Sequence, residues 1–543
     1  MLPQPALLML VLVTSALASP PHIIFIVADD MGWNDVSFHG SDQIPTPNID
    51  ALGYNGVILN SHYVQPLCSP TRAALMTGLY PIHTGMQGYP MLAAEPRGLP
   101  LRKILPQYLK DLGYVTRAVG KWHLGFYRKE FTPTYRGFDS HLGYWTGSIS
   151  YYDHIVQDIY PDGNILSGHD FRRNMDTAWN LEGQYATEVF TEEALRIIEQ
   201  HDTGKPLFLY LSHLAVHAGN TGKLLEAPQE IINTFRHIKE PNRRTYAAMV
   251  SQMDESVGRV VEALHNRRML NNSIIVFISD NGAPSVGVFQ NWGSNYPLRG
   301  IKATLWEGGV RGVALIWSPL LRQPSRVSDE LMHVSDWLPT LYSAAGGDIT
   351  KLDSNLDGVD QWSSLVYDEK SPRRQVLVNI DEREKTAALI IGDWKLVVGT
   401  FGNNGSLDGY YGNSGNSASN PRYNTSSVIN SRAWKSIAST RRPVTQADVN
   451  KLRQAATVSC SKETFVTQTN CNPSITNTPC LFNIHEDPCE QNNLSGSSTD
   501  IVTAMYNILV RHRQSLIPQL NRPWDISGAD PARFNSTWSS WLD

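Results

Sequence analysis

The chain has 543 residues, 41% hydrophobic and 18% charged, with a formal net charge of −5. That is a globular composition, long enough for two domains or for one large domain with an appendage. The mild acidity gives no reason to expect nucleic acid as a partner, while a local cluster of Lys, Arg and His could still bind an anion.

The first element is an apolar run, "ALLMLVLV", followed by "TSALASP", in which Ala16-Leu17-Ala18 fits a small-residue cleavage site. The run is far short of the roughly 20 residues that span a bilayer, so residues 1–18 read as an export signal, although "MLPQP" brings no Lys or Arg. No later stretch is long and apolar enough to be a membrane helix. A protein of the secretory pathway, secreted or lysosomal, is expected, with no membrane partner.

Next comes "HIIFIVADD", an apolar run ending in two acids, the pattern of a buried parallel strand with functional residues at its C-terminal end. "PLFLYLSHLAVH" and "NSIIVFISDNG" repeat it. Between these runs, "ILPQYLKDLG" and "TEEALRIIEQH" carry apolar residues at three- and four-residue spacing and predict helices. Strands alternating with helices predict an α/β sandwich around a mostly parallel sheet over residues 19–375. The character changes at about residue 376. "TAALIIGDWKLVVGT" predicts a hairpin turning at Gly392-Asp393, and residues 402–431, rich in Gly, Asn and Ser, predict a long mobile loop. "DIVTAMYNILVRHRQSL" predicts a terminal helix. Residues 376–543 are expected to form a smaller α+β domain.

Five cysteines are distributed unevenly, with Cys68 alone and Cys460, Cys471, Cys480 and Cys489 crowded together. In an oxidising lumen the four make two short-range disulfides. Cys460–Cys471 and Cys480–Cys489 are the expected pairs among three possible connectivities. Sequons at Asn271, Asn404, Asn424, Asn493 and Asn535 fit the same compartment.

Asp29-Asp30 and Asp280-Asn281 supply oxygens at the ends of two apolar runs that could lie side by side. Each pair alone reads as a solvated turn; both following long strands points to a hard cation such as Ca²⁺ or Mg²⁺. Lys121 and His123, two apart in "GKWHLG", face the same way in an extended segment and suit an anion. His217 in "LAVHAGN" and Lys302 in the Gly-rich "LRGIKATLWEGGVRG" are weaker signals, each reading alone as a structural or solvated residue.

Around these residues the sequence resembles the type I sulfatases. "CSPTR" fits their Cys-x-Pro-x-Arg signature, and "IIFIVADDMGWNDVSFHG", "TPNIDAL", "AVGKWHLG", "RGFDSHLGYW", "FISDNG", "PLRGIKATLWEGGVRG" and "HVSDWLPTL" follow in that family's order. The likeness runs from about residue 21 to 400 and more loosely beyond, and is strongest to the arylsulfatase B group, which includes N-acetylgalactosamine-4-sulfatase. It implies an alkaline-phosphatase-like sandwich and a sulfuric ester hydrolase. By resemblance, Cys68 is oxidised to formylglycine by the formylglycine-generating enzyme, and its hydrated aldehyde is the nucleophile. Asp29, Asp30, Asp280 and Asn281 would hold one Ca²⁺ that also binds residue 68. Arg72 would steady the hydrated aldehyde, and Lys121, His217 and Lys302 would grip sulfate. His217 or Lys302 would protonate the leaving alcohol, and His123 would be the base that releases sulfate.

The default substrate by resemblance is a glycosaminoglycan N-acetylgalactosamine-4-sulfate or an aryl sulfate. Two departures loosen it: "HAGNTGKLLEAP" is small and polar where relatives have acid or proline, and Ile149-Ser150 replaces a common acidic pair at the expected pocket mouth. A small-molecule sulfatase acting on glucosinolates is one alternative, and an inactive binder of sulfated glycans another. A phosphate ester hydrolase of the same superfamily is disfavoured by Cys where those enzymes place Thr or Ser. No oligomeric state follows from the sequence.

Overall fold

The computed structural model describes residues 19–543 apart from 288, 403–404, 413, 419, 461–470, 472 and 474–477. The expected export signal and the sequon at Asn404 lie outside the described residues. No helix among them is long and apolar enough to cross a membrane.

The frame is a ten-stranded sheet. In chain order its strands are β1 (His22–Ala28), β2 (Val57–Leu59), β4 (Val115–Lys121), β5 (Ser140–Tyr144), β8 (Arg172–Arg173), β9 (Asp176–Thr177), β10 (Leu207–Ser212), β11 (Ser273–Ser279), β12 (Ala314–Trp317) and β13 (Arg326–Ser328). A short pair, β3 (His62–Tyr63) with β14 (Met332–His333), and a hairpin, β6 (Ile155–Ile159) with β7 (Ile165–His169), stand outside it. The spatial order is β13-β2-β12-β11-β1-β10-β4-β5-β8-β9, and β11, β1, β10, β4 and β5 run parallel. β1, β10 and β11 are buried at every position. Strands covered on both faces need continuous rather than alternating apolar sequence, which is why "HIIFIVA", "LFLYLS" and "SIIVFIS" take these central places.

Helices form two groups. One contains α1 (Pro47–Asn55), α4 (Ala186–Gln200) and α6 (Pro241–Asn266), with the short α5 (Gln229–Ile232) against α6. The other contains α2 (Cys68–Thr77), α3 (Leu105–Asp111), α8 (Trp337–Ala344) and α9 (Trp362–Tyr367), and Trp337 meets Phe25 of β1 edge-on at 5.5 Å. α7 (Glu307–Val310) is a single turn beside the end of β11. The buried start of α1 is satisfied from α6: the Asn48 and Ile49 amides donate to Asp254 at 3.0 and 2.8 Å, covering amides that have no partner within their own helix.

The C-terminal part is a four-stranded antiparallel sheet of β15 (Gln375–Asp381), β16 (Thr386–Ile391), β17 (Trp394–Val398) and β18 (Cys480–Asn483). The expected hairpin turns at Gly392-Asp393, with Gly392 at φ 54° in the left-handed region that glycine enters freely. The alternation of β16 sends Leu389 toward the terminal helix Thr499–Gln514 and Ala388 and Ile390 toward Trp306 and Val310. Between β17 and β18 the chain returns to the large sheet, where α10 (Thr425–Ile429) packs on α1, α11 (Arg432–Ala438) on α1 and α6, and α12 (Gln446–Ala456) on α10 and β13. The Gly/Asn/Ser-rich stretch takes part in this return, with Ser414 accepting from Asn34 at 3.0 Å and Tyr423 donating to Asp50 at 2.7 Å.

The disulfides correct the expected pairing. Cys471 bonds Cys480 and Cys460 bonds Cys489, each with Cα atoms 6.0 Å apart, and Cys68 is free. The bridges are nested because Cys480 is committed to β18, opposite Val397. The chain leaving that strand brings Cys489 back to the segment that follows α12, so proximity in sequence is not proximity in space.

A buried charge cluster joins the two parts. Lys395 of β17 lies 2.8 Å from Glu307 and 2.9 Å from Glu490, Tyr63 donates to Glu307 at 2.9 Å, and the Glu307 amide donates to Glu490 at 2.8 Å. Burial raises the Glu490 carboxyl to about 7; Lys395 opposes the rise and Glu307 adds to it. A carboxyl raised on folding stabilises fully below its unfolded value, and that stability is lost as pH rises through the folded one. Glu490 therefore favours the folded protein below about 4.5 and loses its contribution by about 7, with an upper bound of roughly 3 kcal/mol. Denaturant midpoints measured across this range should fall more steeply with pH in the wild type than in Glu490→Gln; parallel profiles would refute the assignment.

Candidate active site

The site forms where β1 and β11 end. They are adjacent, parallel and in register, Ala28 opposite Ser279, so the residues that follow meet side by side. Such carboxyl ends are where open α/β sheets bind ligands. Asp30 turns with φ 61°, a conformation that Asp tolerates better than most residues. Its amide donates to Asp280 at 3.1 Å, and its carboxylate accepts from Asn281 Nδ2 at 2.6 Å. Gly282 then passes so close to the Gly308 carbonyl that a Cβ has no room, and its amide bonds Gly309 at 3.0 Å. This contact brings the loop carrying Lys302 against the strand end.

Three cations close on the acids. Arg72 lies one turn after Cys68 on α2, on the same helix face, and its Nη2 sits 2.8 Å from Asp280 and 3.6 Å from Asp29. Lys121, the last residue of β4, places Nζ 2.7 Å from Asp29. Lys302 lies 2.6 Å from Asp30 Oδ1. His217, beyond β10, has Nε2 3.3 Å from Asp30 and 3.2 Å from Lys302 Nζ, with Nδ1 2.6 Å from the Ala218 carbonyl. A carbonyl only accepts, so Nδ1 carries the proton and Nε2 presents its lone pair. By the same reasoning, His123 donates Nε2–H to the Met91 carbonyl at 2.9 Å, leaving Nδ1 buried and unpartnered.

Burial and neighbouring charge set the protonation states. Burial alone would raise Asp30, but His217, Lys302 and Lys121 bring it down to about 2. Asp280 is pushed up to about 6 by burial and by Asp29 beside it, against Arg72 and Lys121. Burial takes His217 down to about 3, and burial with Lys121 takes His123 well below its usual value. The Cys68 thiol is raised by burial, which Lys121 and Lys302 oppose; as a thiol it would be a weak nucleophile.

Every residue singled out in the sequence is present in this assembly. Cys68, His123, His217 and Lys302 line one cleft of about 320 Å³, while Asp29, Asp30, Arg72, Lys121, Asp280 and Asn281 are buried beneath it. Asp29, Asp30 and His217 have ligand atoms within 4.8 Å of one another, a buried cluster able to hold a metal. Sequence reading missed the supports and the walls. Asn291 holds the turn by donating to the Asp30 and Val216 carbonyls at 2.9 and 3.0 Å. Tyr89, Met91, Phe289 and Leu407 line the cleft from loops, and Asp158 from strand β6, none of them in a motif. Ile149 and Ser150, expected at the mouth, are buried behind it; Ser150 accepts from Asn220 at 2.8 Å, and Gly147 and Ser148 form the wall.

Comparison with known proteins agrees with this geometry. Residues 21–347 match the family model described as Sulfatase. Arylsulfatase J of Mus musculus is 38% identical over 96% of this chain and 80% of its own length. N-acetylgalactosamine-6-sulfatase of Sus scrofa is 30% identical over 92% of this chain and 88% of its own. The crystal structure of Ps i-CgsB in complex with k-i-k-neocarrahexaose superposes with a TM-score of 0.70 at 26% identity, covering 95% of this chain and 99% of that one. The alkaline-phosphatase-like sandwich, the strand-end cluster and these likenesses agree: the chain belongs to the sulfatase family and is a sulfuric ester hydrolase.

Proposed function

We propose that the protein hydrolyses sulfate monoesters with a formylglycine made from Cys68 and a calcium ion held by Asp29, Asp30, Asp280 and Asn281. The observation that carries this reading is the setting of Cys68: free, buried, at the start of α2, and within the field of Lys121, Lys302, Asp280 and Asp29. A cysteine so placed has no disulfide to make and no route to an easy thiolate.

The donor set fits a hard cation. Asp29 Oδ1 and Asn281 Oδ1 are buried without a hydrogen-bond partner, an arrangement that costs free energy unless a ligand takes them up. Carboxylate and amide oxygens suit calcium, and His217 nitrogen does not, so His217 is left for the substrate. Calcium bound there would lower the pKa of an attacking hydroxyl and neutralise charge on the sulfate. The hydrated aldehyde of residue 68 brings two hydroxyls on one carbon, one to attack sulfur and one to expel sulfate afterwards.

The remaining roles follow from protonation. Lys121 and Lys302 present ammonium groups that sulfate oxygens accept. His217, with its proton committed to Ala218, accepts rather than donates, so Lys302, whose charge Asp30 sustains, is the proton source for the leaving alcohol. His123 Nδ1 is the base that takes the proton of the second hydroxyl. Arg72 holds the acids and the first turn of α2 in register. The substrate class we assign is an aryl sulfate or an N-acetylgalactosamine sulfate, the sugar named in the Sus scrofa relative. Two disulfides support a place in the secretory pathway, secreted or lysosomal.

Co-expression with the formylglycine-generating enzyme should change the mass of the peptide carrying residue 68 and yield turnover of an aryl sulfate. Cys68→Ala should lose at least about a thousandfold in kcat; retained turnover in that variant would sink the reading. Calcium added to chelator-treated protein should raise its melting temperature, by the equivalent of about 2.7 kcal/mol at a hundred times Kd. Asp280→Ala should abolish that rise, and a rise that survives in the variant would place calcium elsewhere.

A further inference from the structure

The cleft above Cys68 is more selective than its sulfate-gripping floor requires. Its walls carry Tyr89, Met91, Val286, Phe289, Phe401 and Leu407. Apart from Lys302, no Lys or Arg lines it among the described residues, and the one carboxylate in the wall is Asp158. Asp158 lies on β6, and its Oδ2 accepts from the Ala93 amide at 2.6 Å and from the Tyr160 hydroxyl at 3.3 Å. Its Oδ1 accepts no hydrogen bond from the described residues, so one oxygen is held and the other is free to accept.

An alcohol entering this space meets mostly apolar surface, the hydroxyls of Tyr89, Ser148 and Ser406, one carboxylate, and no counter-charge beyond the groups that take the sulfate. A carboxylate or second sulfate on that alcohol would be desolvated by the apolar walls without a cationic partner. It would also approach a like charge where the surroundings screen poorly. A hydroxyl or amide N–H in the same position would find Asp158 Oδ1.

We propose that the cleft selects sulfate esters of compact, uncharged, largely apolar alcohols bearing a hydrogen-bond donor, and that Asp158 is the residue that accepts the donor and rejects anionic alcohols. This inference rests on the sulfate ester hydrolase reading above and narrows its substrate. A sulfated ring standing alone satisfies it; the same ring joined to a uronate does not. Specificity here comes from repulsion as much as from attraction.

The test compares two substrates of one shape, 4-carbamoylphenyl sulfate and 4-carboxyphenyl sulfate, at neutral pH on the formylglycine-bearing protein. Wild type should favour the amide by about tenfold or more in kcat/KM. Asp158→Asn keeps an oxygen for the Ala93 amide and should shrink that ratio several-fold, a change that cancels the intrinsic difference between the two leaving groups. Leu407→Lys, elsewhere in the cleft lining and partly exposed, should shrink it independently by supplying the missing cation. An unchanged ratio in both variants, or equal turnover of the two substrates by wild type, would overturn the proposal. If residue 68 carries the aldehyde and neither substrate is turned over, the aryl sulfate reading above fails and takes this inference with it.

Discussion

Everything at the site depends on keeping three buried aspartates, Asp29, Asp30 and Asp280, side by side at the end of two parallel strands. All are fully buried, and an unpaired charge in such a place costs about 3–5 kcal/mol. The balance comes from three separate elements: Arg72 from α2, Lys121 from the end of β4, and Lys302 from the loop before α7. The acids therefore determine where those elements can rest. The groups proposed to act on sulfate are the same ones that make the acid cluster tolerable. Site and fold here are one electrostatic problem, and a change in either partner disturbs the other.

The C-terminal sheet enters the same problem from behind. Glu307 begins the turn that follows the Lys302 loop, and it is gripped by Lys395 of β17 at 2.8 Å. Trp306 and Val310 press into the apolar face of that sheet together with Val378, Ile390 and Phe482. The outer disulfide ends at Cys489, next to Glu490 of the same cluster. The loop that delivers Lys302 is thus clamped between the end of β11, where Gly282 allows close contact, and the four-stranded sheet. A lysine on a Gly-rich stretch gains a fixed position from packing that lies wholly outside the cleft.

The fold was legible wherever the sequence repeats a local rule. Continuous apolar runs identified β1, β10 and β11, period-three and period-four spacing identified α3 and α4, and Gly392-Asp393 identified a hairpin. The strand-end acids were legible because parallel neighbours must present their ends together. The cysteine pairing was not, because Cys460 and Cys489 are joined by the route of the chain around β18, which no spacing rule encodes. Nor were the cleft walls: Tyr89, Asp158, Phe289 and Leu407 come from four distant segments, and none sits in a periodic element that points to it. Ile149 and Ser150 failed for the related reason that proximity to a motif says nothing of which side chains reach the cavity. Position along a strand is local information, whereas the lining of a cleft is a property of the assembled loops.

Those loops also tie selectivity to chemistry. Asp158 holds the Ala93 amide, and two residues earlier the Met91 carbonyl accepts the Nε2–H of His123, thereby determining which nitrogen of that imidazole is free. Gly147, in the same cleft lining, leaves the His123 ring just enough space, since an added Cβ would lie 3.1 Å from it. In the proposed mechanism His123 Nδ1 is the base, so the wall that meets the alcohol and the group that completes turnover share one short segment. A substrate that displaces residues 91–93 would disturb the tautomer as well as the fit. Conversely, a substrate that seats against Asp158 without moving Ala93 leaves the base poised. The cleft therefore filters substrates twice with the same residues, once by the charge and shape it admits, and once by whether the bound alcohol lets the Met91 carbonyl keep its hydrogen bond.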